Sequence, residues 1–147
     1  MGILEITSSV YDEMVAHAKA NMPLEACGYL AGDALSESPH KDFCCEVKTF
    51  IPMTNIDKSP EHFTFDPKEQ FAAIKQVRQS GESLLVVYHS HPETPARLSA
   101  EDIRLFNDPN MIYVIVSLAA ETPEVKAYTV RKQEDVVEIA RVDIVVS

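Results

Sequence analysis

No apolar run in the 147 residues approaches the length of a membrane span. The first ten residues have no basic region and place Glu5 early, which is not the pattern of a secretory signal. Internal repeats and low-complexity stretches are missing. Basic charge is scarce: 13 Lys and Arg stand against 23 Asp and Glu, a net charge of −10. A field of that sign repels a phosphate backbone, so nucleic acid is not an expected partner. Cysteine is sparse as well. The three present are an odd number, none lies in a C-x-x-C pair, and the neighbours Cys44 and Cys45 would bridge only with strain. The expectation is reduced thiols in a cytoplasm.

What remains is a globular balance, with 46% hydrophobic and 24% charged residues. The length suits one domain, 1–147, with its own core. Leu4 to Thr7 reads as a first strand. Ser8 or Ser9 caps a helix running to about Asn21, with Val10, Met14 and Ala18 along one face. Ala26 to Ala31 is a short strand, 35–41 a loop, and Phe43 to Ile51 another strand. Residues 52–61 form an irregular connection, followed by a brief strand at His62 to Phe65. Asp66-Pro67 opens a second helix, with Phe71, Ile74 and Val77 as its apolar face and Ser80-Gly81 as its stop.

Leu84 to Tyr88 is continuously apolar, the mark of a strand buried on both faces. A loop from His89 to Leu98 leads to a third helix, capped by Ser99 and running from Ala100 to about Phe106. Met111 to Leu118, Val125 to Val130 and Val136 to Val145 are three further strands. The pattern predicts an α/β fold, a single mixed β-sheet packed by about three helices.

The chemistry concentrates in His89-Ser90-His91-Pro92 and Ser99-Ala100-Glu101-Asp102. Strand side chains alternate, so His89 and His91 share a face and Ser90 takes the other, as a packing or strand-polar residue. The loop turns the chain back, which lets Asp102 bring a carboxylate to the two imidazoles. Two histidines, one carboxylate and a water make a tetrahedral catalytic zinc site. Ser99-x-x-Asp102 also reads as a capping box at a helix start, a role that does not exclude the other. A general base is needed beside the metal. Glu25 is the first candidate, and Glu93 and Glu101 are rivals. Glu101 points about 100° away from Asp102 around the helix, while Glu93 stays open. His17, His40 and His62 have no ligand spacing and read as structural or exposed. Cys27 reads as an inert buried thiol, and the H-x-E with P-C-x-x-C signature of nucleoside deaminases is absent.

The two motifs and their seven-residue gap, together with Pro23-Leu24-Glu25-Ala26-Cys27-Gly28-Tyr29-Leu30 upstream, resemble the JAMM (MPN-plus) metalloprotease family, in the form of a minimal prokaryotic-type member. The resemblance implies a cytidine deaminase-like fold. It also implies one zinc per chain on His89, His91 and Asp102. It makes Glu25 the general base and then acid, and Ser99 the donor to the oxyanion. The implied reaction is hydrolysis of a peptide or isopeptide bond at the C-terminus of a small ubiquitin-like or sulfur-carrier (ThiS/MoaD-like) protein. A flexible carrier tail could add as a strand at an exposed sheet edge. Two other classes compete. A non-catalytic MPN scaffold usually lacks one or more ligands. A RadC-like DNA-repair protein usually carries an additional N-terminal DNA-binding part.

Overall fold

The computed structural model describes residues 2–34 and 44–147, with nothing to be said of the Cys44 side chain. The loop read over 35–41, and His40 within it, lie outside the described residues. The elements are β1 (Ile3–Ile6), α1 (Ser8–Ala20), β2 (Cys27–Ala34), β3 (Cys44–Met53), α2 (Pro67–Ser80), β4 (Ser83–His91), α3 (Ala100–Leu105), β5 (Ile112–Ser117), β6 (Glu124–Gln133) and β7 (Val136–Val146). The described strands form a closed barrel in the order β1-β3-β2-β4-β5-β6-β7.

Closure corrects the expectation of a single open, deaminase-like sheet packed by helices. The four-residue β1 accounts for it. It runs parallel to β3 on one side (Ile3 opposite Cys44) and parallel to β7 on the other (Ile3 opposite Asp143). Neither pairing joins neighbours in sequence, and alternation within a strand carries no information about which distant strand it meets. The sheet therefore curls on itself and β1 has no free edge. The strand bearing the histidines, β4, is likewise paired on both sides, antiparallel to β2 and parallel to β5. A tail cannot add as a strand to β4.

Helix α1 packs on the barrel's main core. Thr7, rather than either serine, is its cap, with the side chain accepting from Val10 N–H. Val10, Met14 and Ala18 are buried against Leu4, Ile6, Leu30, Val86 and Tyr88, as their spacing requires. Helix α2 begins at Asp66-Pro67 and ends at Gly81, whose φ of 79° is the left-handed conformation that glycine adopts at little cost. Its inward face differs from expectation. Ala73 and Val77 are buried, whereas Phe71 is 72% exposed. Small Ala73 lets the helix lie close against Tyr29, Ile51 and Met53, and Phe71 falls on the outer side of the helix. The strand expected at His62 to Phe65 is reduced to one bridge, Asn55 with Phe65. No helix among the described residues is long and apolar enough to cross a membrane.

Candidate metal centre

The sequence reading placed the two histidines at the end of the central strand while opening the loop at His89, and β4 runs through His91. Both histidines therefore sit on regular strand backbone rather than in a loop, His89 paired with β2 and β5 and His91 with β5. Strand alternation sends both rings to one face. Helix α3 starts beside that face because Ser99 caps it. Ser99 Oγ accepts Asp102 N–H at 3.0 Å, and Asp102 Oδ2 accepts Ser99 N–H at 3.0 Å, a complete capping box. The box fixes the Asp102 carboxylate toward the imidazoles.

Three ligand atoms then converge. His89 Nε2 lies 3.1 Å from His91 Nε2. Asp102 Oδ2 lies 3.1 Å from His91 Nε2, and Asp102 Oδ1 lies 3.2 Å from His89 Nε2. One ligand atom from each residue falls within 4.8 Å of the others, and all three residues are buried. Ligands held about 2.0–2.1 Å from a tetrahedral zinc ion stand roughly 3.3 Å from one another, so the observed spacing needs little adjustment.

The protonation pattern points the same way. His91 Nδ1 lies 2.9 Å from Pro95 O, which can only accept, so this nitrogen carries the proton and a neutral ring presents a lone pair at Nε2. That lone pair faces a carboxylate and a second imidazole nitrogen. A positive charge between them resolves the conflict, either a proton or a metal ion. Burial works to raise the Asp102 carboxyl, but hydrogen bonds with His89 and His91 outweigh it and hold the group well below the usual carboxylate range. Burial lowers His89 and favours its neutral form. His91 is raised, because its bonds with Asp102 and Pro95 overcome the burial that opposes them.

Glu25 lies just ahead of β2. Cys27 pairs with His89, and the register continues past the strand end through Ser90 N–H to Ala26 O at 3.0 Å, which sets Glu25 opposite His91. The Glu25 side chain is buried, and Glu25 Oε1 and His89 Nδ1 are the two buried side-chain polar atoms without a hydrogen-bond partner among the described residues. Orphaned polar atoms are rare in folded proteins, and here both belong to one site. Burial pushes the Glu25 carboxyl up to about 8, with the negative charges of Asp102 and Glu61 adding and His91 opposing. Of the rivals, Glu101 is tied to Arg104 at 2.7 Å, and Glu93 is exposed on the loop. Cys27 is buried with Tyr29 and Ile51, and burial pushes its thiol up to about 12, so it is not a nucleophile at neutral pH.

Some residues around the site were passed over in the sequence. Phe63 stacks on His89 with centroids 5.0 Å apart, and Phe106 meets the same ring edge-on at 5.5 Å. These rings fix the imidazole plane. They also wall a groove of about 440 Å³ beside the centre, lined further by Tyr29, Phe65, Leu105 and Tyr113. Asn55 is buried within the stretch read only as irregular connection. His17, read as structural or exposed, hydrogen-bonds Tyr88 Oη through Nδ1 at 3.0 Å, and His62 pairs with Asp57 at 2.8 Å on the surface.

The raised Glu25 carboxyl has a consequence for the metal-free protein. A group whose folded pKa exceeds its unfolded value stabilises fully below the unfolded pKa, and that contribution is lost as pH climbs through the folded one. For Glu25 the window runs from 4.5 to about 8. Urea unfolding of chelator-treated protein across that window should show the wild type losing stability relative to Glu25→Gln by on the order of a few kcal/mol. Parallel profiles for the two proteins would contradict the assignment.

A mixed barrel with two strand-borne imidazoles, a helix-borne carboxylate and a buried glutamic acid is compatible with a metal site of the hydrolase type. A family model described as prokaryotic homologs of the JAB domain matches residues 7–131, and the chain belongs to that family. It is 37% identical over 115 residues to a CysO-cysteine peptidase of Mycobacterium tuberculosis, covering 78% of this chain and 73% of that one. It is 33% identical over 103 residues to a Thermus thermophilus protein described as a "probable TtuB-protein conjugate cleaving protease", covering 69% of this chain and 62% of that one. The solution structure of a Desulfitobacterium hafniense protein superposes with a TM-score of 0.80 at 41% identity, covering 98% of this chain and 92% of the other.

Proposed function

We propose that the chain, acting as one catalytic domain, is a zinc-dependent metallopeptidase. It hydrolyses a peptide or isopeptide bond at the C-terminus of a small ubiquitin-like or sulfur-carrier protein of the ThiS/MoaD type. The observation that carries this reading is the convergence of His89, His91 and Asp102 to 3.1–3.2 Å beside a buried Glu25 carboxyl that has no other partner at Oε1. His89 Nε2, His91 Nε2 and an Asp102 oxygen would hold the zinc. When bound, zinc in such a ligand set polarises a carbonyl and brings the pKa of water down toward neutrality.

The rest is done by the chain. Positive charge at the cluster favours the ionised form of Glu25. Glu25 Oε1 then takes a proton from the attacking water and returns it to the leaving amine, which departs neutral. Ser99 Oγ already accepts from Asp102 N–H, so its own hydroxyl proton is unspent and can be donated to the oxyanion of the tetrahedral intermediate. The groove walled by Phe63 and Phe106 offers an extended tail an apolar seat beside the centre, in place of an added strand at β4. The two named relatives act, by their names, on conjugates of CysO and TtuB, which supports a small carrier as substrate class here. The completeness of the ligand set supports an enzyme over a scaffold module. A cytoplasm, where thiols such as Cys27 stay reduced, is the compartment that fits.

Incubation with a ThiS/MoaD-like carrier bearing a C-terminal cysteine or short extension, followed by intact mass, tests the substrate class. Loss of the extension's mass, abolished by chelator and restored by zinc, is the expected result. An unchanged carrier together with cleavage of unrelated unfolded peptides would point to a general peptidase instead.

A further inference from the structure

Catalysis by Glu25 requires its carboxyl to hold one place, yet the residue lies outside regular structure, in the segment between α1 and β2. The backbone N–H and C=O groups of Glu25 and Ala26 are nevertheless all taken. Glu25 N–H donates to Ser59 O at 2.9 Å, and Ser90 N–H donates to Ala26 O at 3.0 Å. Ala26 N–H donates to Ser90 Oγ at 2.7 Å, in a fully buried bond. The Asn55 carboxamide donates to Glu25 O at 3.0 Å and to His62 O at 3.0 Å. Its Oδ1 accepts from Asp57 N–H at 3.0 Å and from Thr64 N–H at 3.2 Å.

Two of these partners bridge to the ligand strand. Ser90 sits between His89 and His91, with its side chain on the face opposite theirs. Asn55 gathers residues 55–64 into a single turn-rich loop, and that loop carries Phe63, whose ring stacks on His89. One segment thus supplies both imidazoles and a clasp on the backbone of the base. A second gathers the loop that fixes an imidazole plane and holds the same backbone from the other side.

We propose that Ser90 and Asn55 are positioning residues for the reaction: acting through the Glu25 and Ala26 backbone, they set the distance between the general base and the metal ligands. This rests on the reading of Glu25 as the base. Displacement of a reacting group by about 1 Å can cost on the order of 10²-fold in rate, so loss of either clasp acts on kcat rather than on substrate binding.

The test uses the zinc-loaded full chain with the extended carrier as substrate. Ser90→Ala removes the acceptor for Ala26 N–H. Asn55→Asp keeps the acceptors for Asp57 and Thr64 while removing the donor to Glu25 O. Each variant should bind zinc as the wild type does and keep KM within about twofold, with kcat down by about tenfold or more. Placed in a Glu25→Gln background, Ser90→Ala should lower the residual rate by less than about twofold, because its route runs through Glu25. A purely structural role would instead multiply the two losses. Should one variant fail to fold, the other decides. Wild-type kcat in the folded variants, beside an inactive Glu25→Gln, overturns the positioning role and leaves the base intact. Normal turnover by Glu25→Gln overturns the base itself.

Discussion

Glu25→Gln should lower kcat by about 10²–10⁴-fold, the usual contribution of a positioned general acid–base, while the protein keeps one zinc per chain. The substitution changes almost nothing else. Gln has the shape of Glu, and the backbone clasps at Ser59, Asn55 and Ser90 do not involve the side chain. The buried Oε1 has no partner to lose. Desolvation already favours the neutral form of Glu25, so a neutral amide is tolerated in the same volume without loss of stability. What disappears is the capacity to take a proton and return it. Unimpaired turnover with zinc retained would move the base elsewhere, and Glu93 would become first choice.

His91→Ala should act in the opposite way, removing zinc and activity together. His91 contributes one of three converging ligand atoms, and its Nδ1–H is also the clasp that holds Pro95 O at 2.9 Å. Without the ring, Asp102 Oδ2 loses the group against which its charge is set. The wild type gains stability from any ion that binds only the folded form, about 4 kcal/mol when the free ion stands at a thousand times its Kd. Thermal unfolding with and without chelator should therefore separate the proteins. Wild type falls by many degrees on chelation, and His91→Ala, already low, does not move. A variant that still responded to chelator and still cleaved the carrier would mean that another residue takes the place of His91.

The clustering of the three candidate ligands was legible because each position depends on a local rule. Strand parity puts His89 and His91 on one face whatever the strand pairs with, and a capping box at Ser99 orients Asp102 whatever the helix packs against. Glu25 was different. It meets His91 only because β2 runs antiparallel to β4 in the register Cys27 to His89, and β3, α2 and more than sixty residues intervene. Nothing in the composition of Pro23 to Ala26 announces that pairing, and the resemblance of the whole segment to a known family supplied it. Ser90 was read as a packing or strand-polar residue opposite the histidines, but its partner was not legible, since a serine at that position looks the same in sequence whether or not it accepts Ala26 N–H.

Asn55 had a faint signal. Asn55-x-Asp57 is the spacing of an Asx turn, and that bond forms at 3.0 Å, but its reach to Glu25 O thirty residues earlier cannot be read along the chain. Barrel closure was hidden for a related reason. Both parallel pairings of β1 are long-range, and four residues of alternating burial fit an edge strand as well as a closing one. Phe71 failed because the helical repeat allows more than one apolar stripe. Val77 of the expected stripe packed inward together with small Ala73, Ile74 is half-buried, and Phe71 alone turned outward.

The central claim is that His89, His91 and Asp102 share a single zinc ion. Anomalous diffraction at the zinc edge, from protein prepared without chelator, addresses it directly. The account predicts one full-occupancy peak about 2.0–2.1 Å from His89 Nε2, His91 Nε2 and an Asp102 oxygen, with Glu25 nearby and not coordinating. A zinc peak held by other residues, or none between these three in crystals grown with zinc, would contradict it.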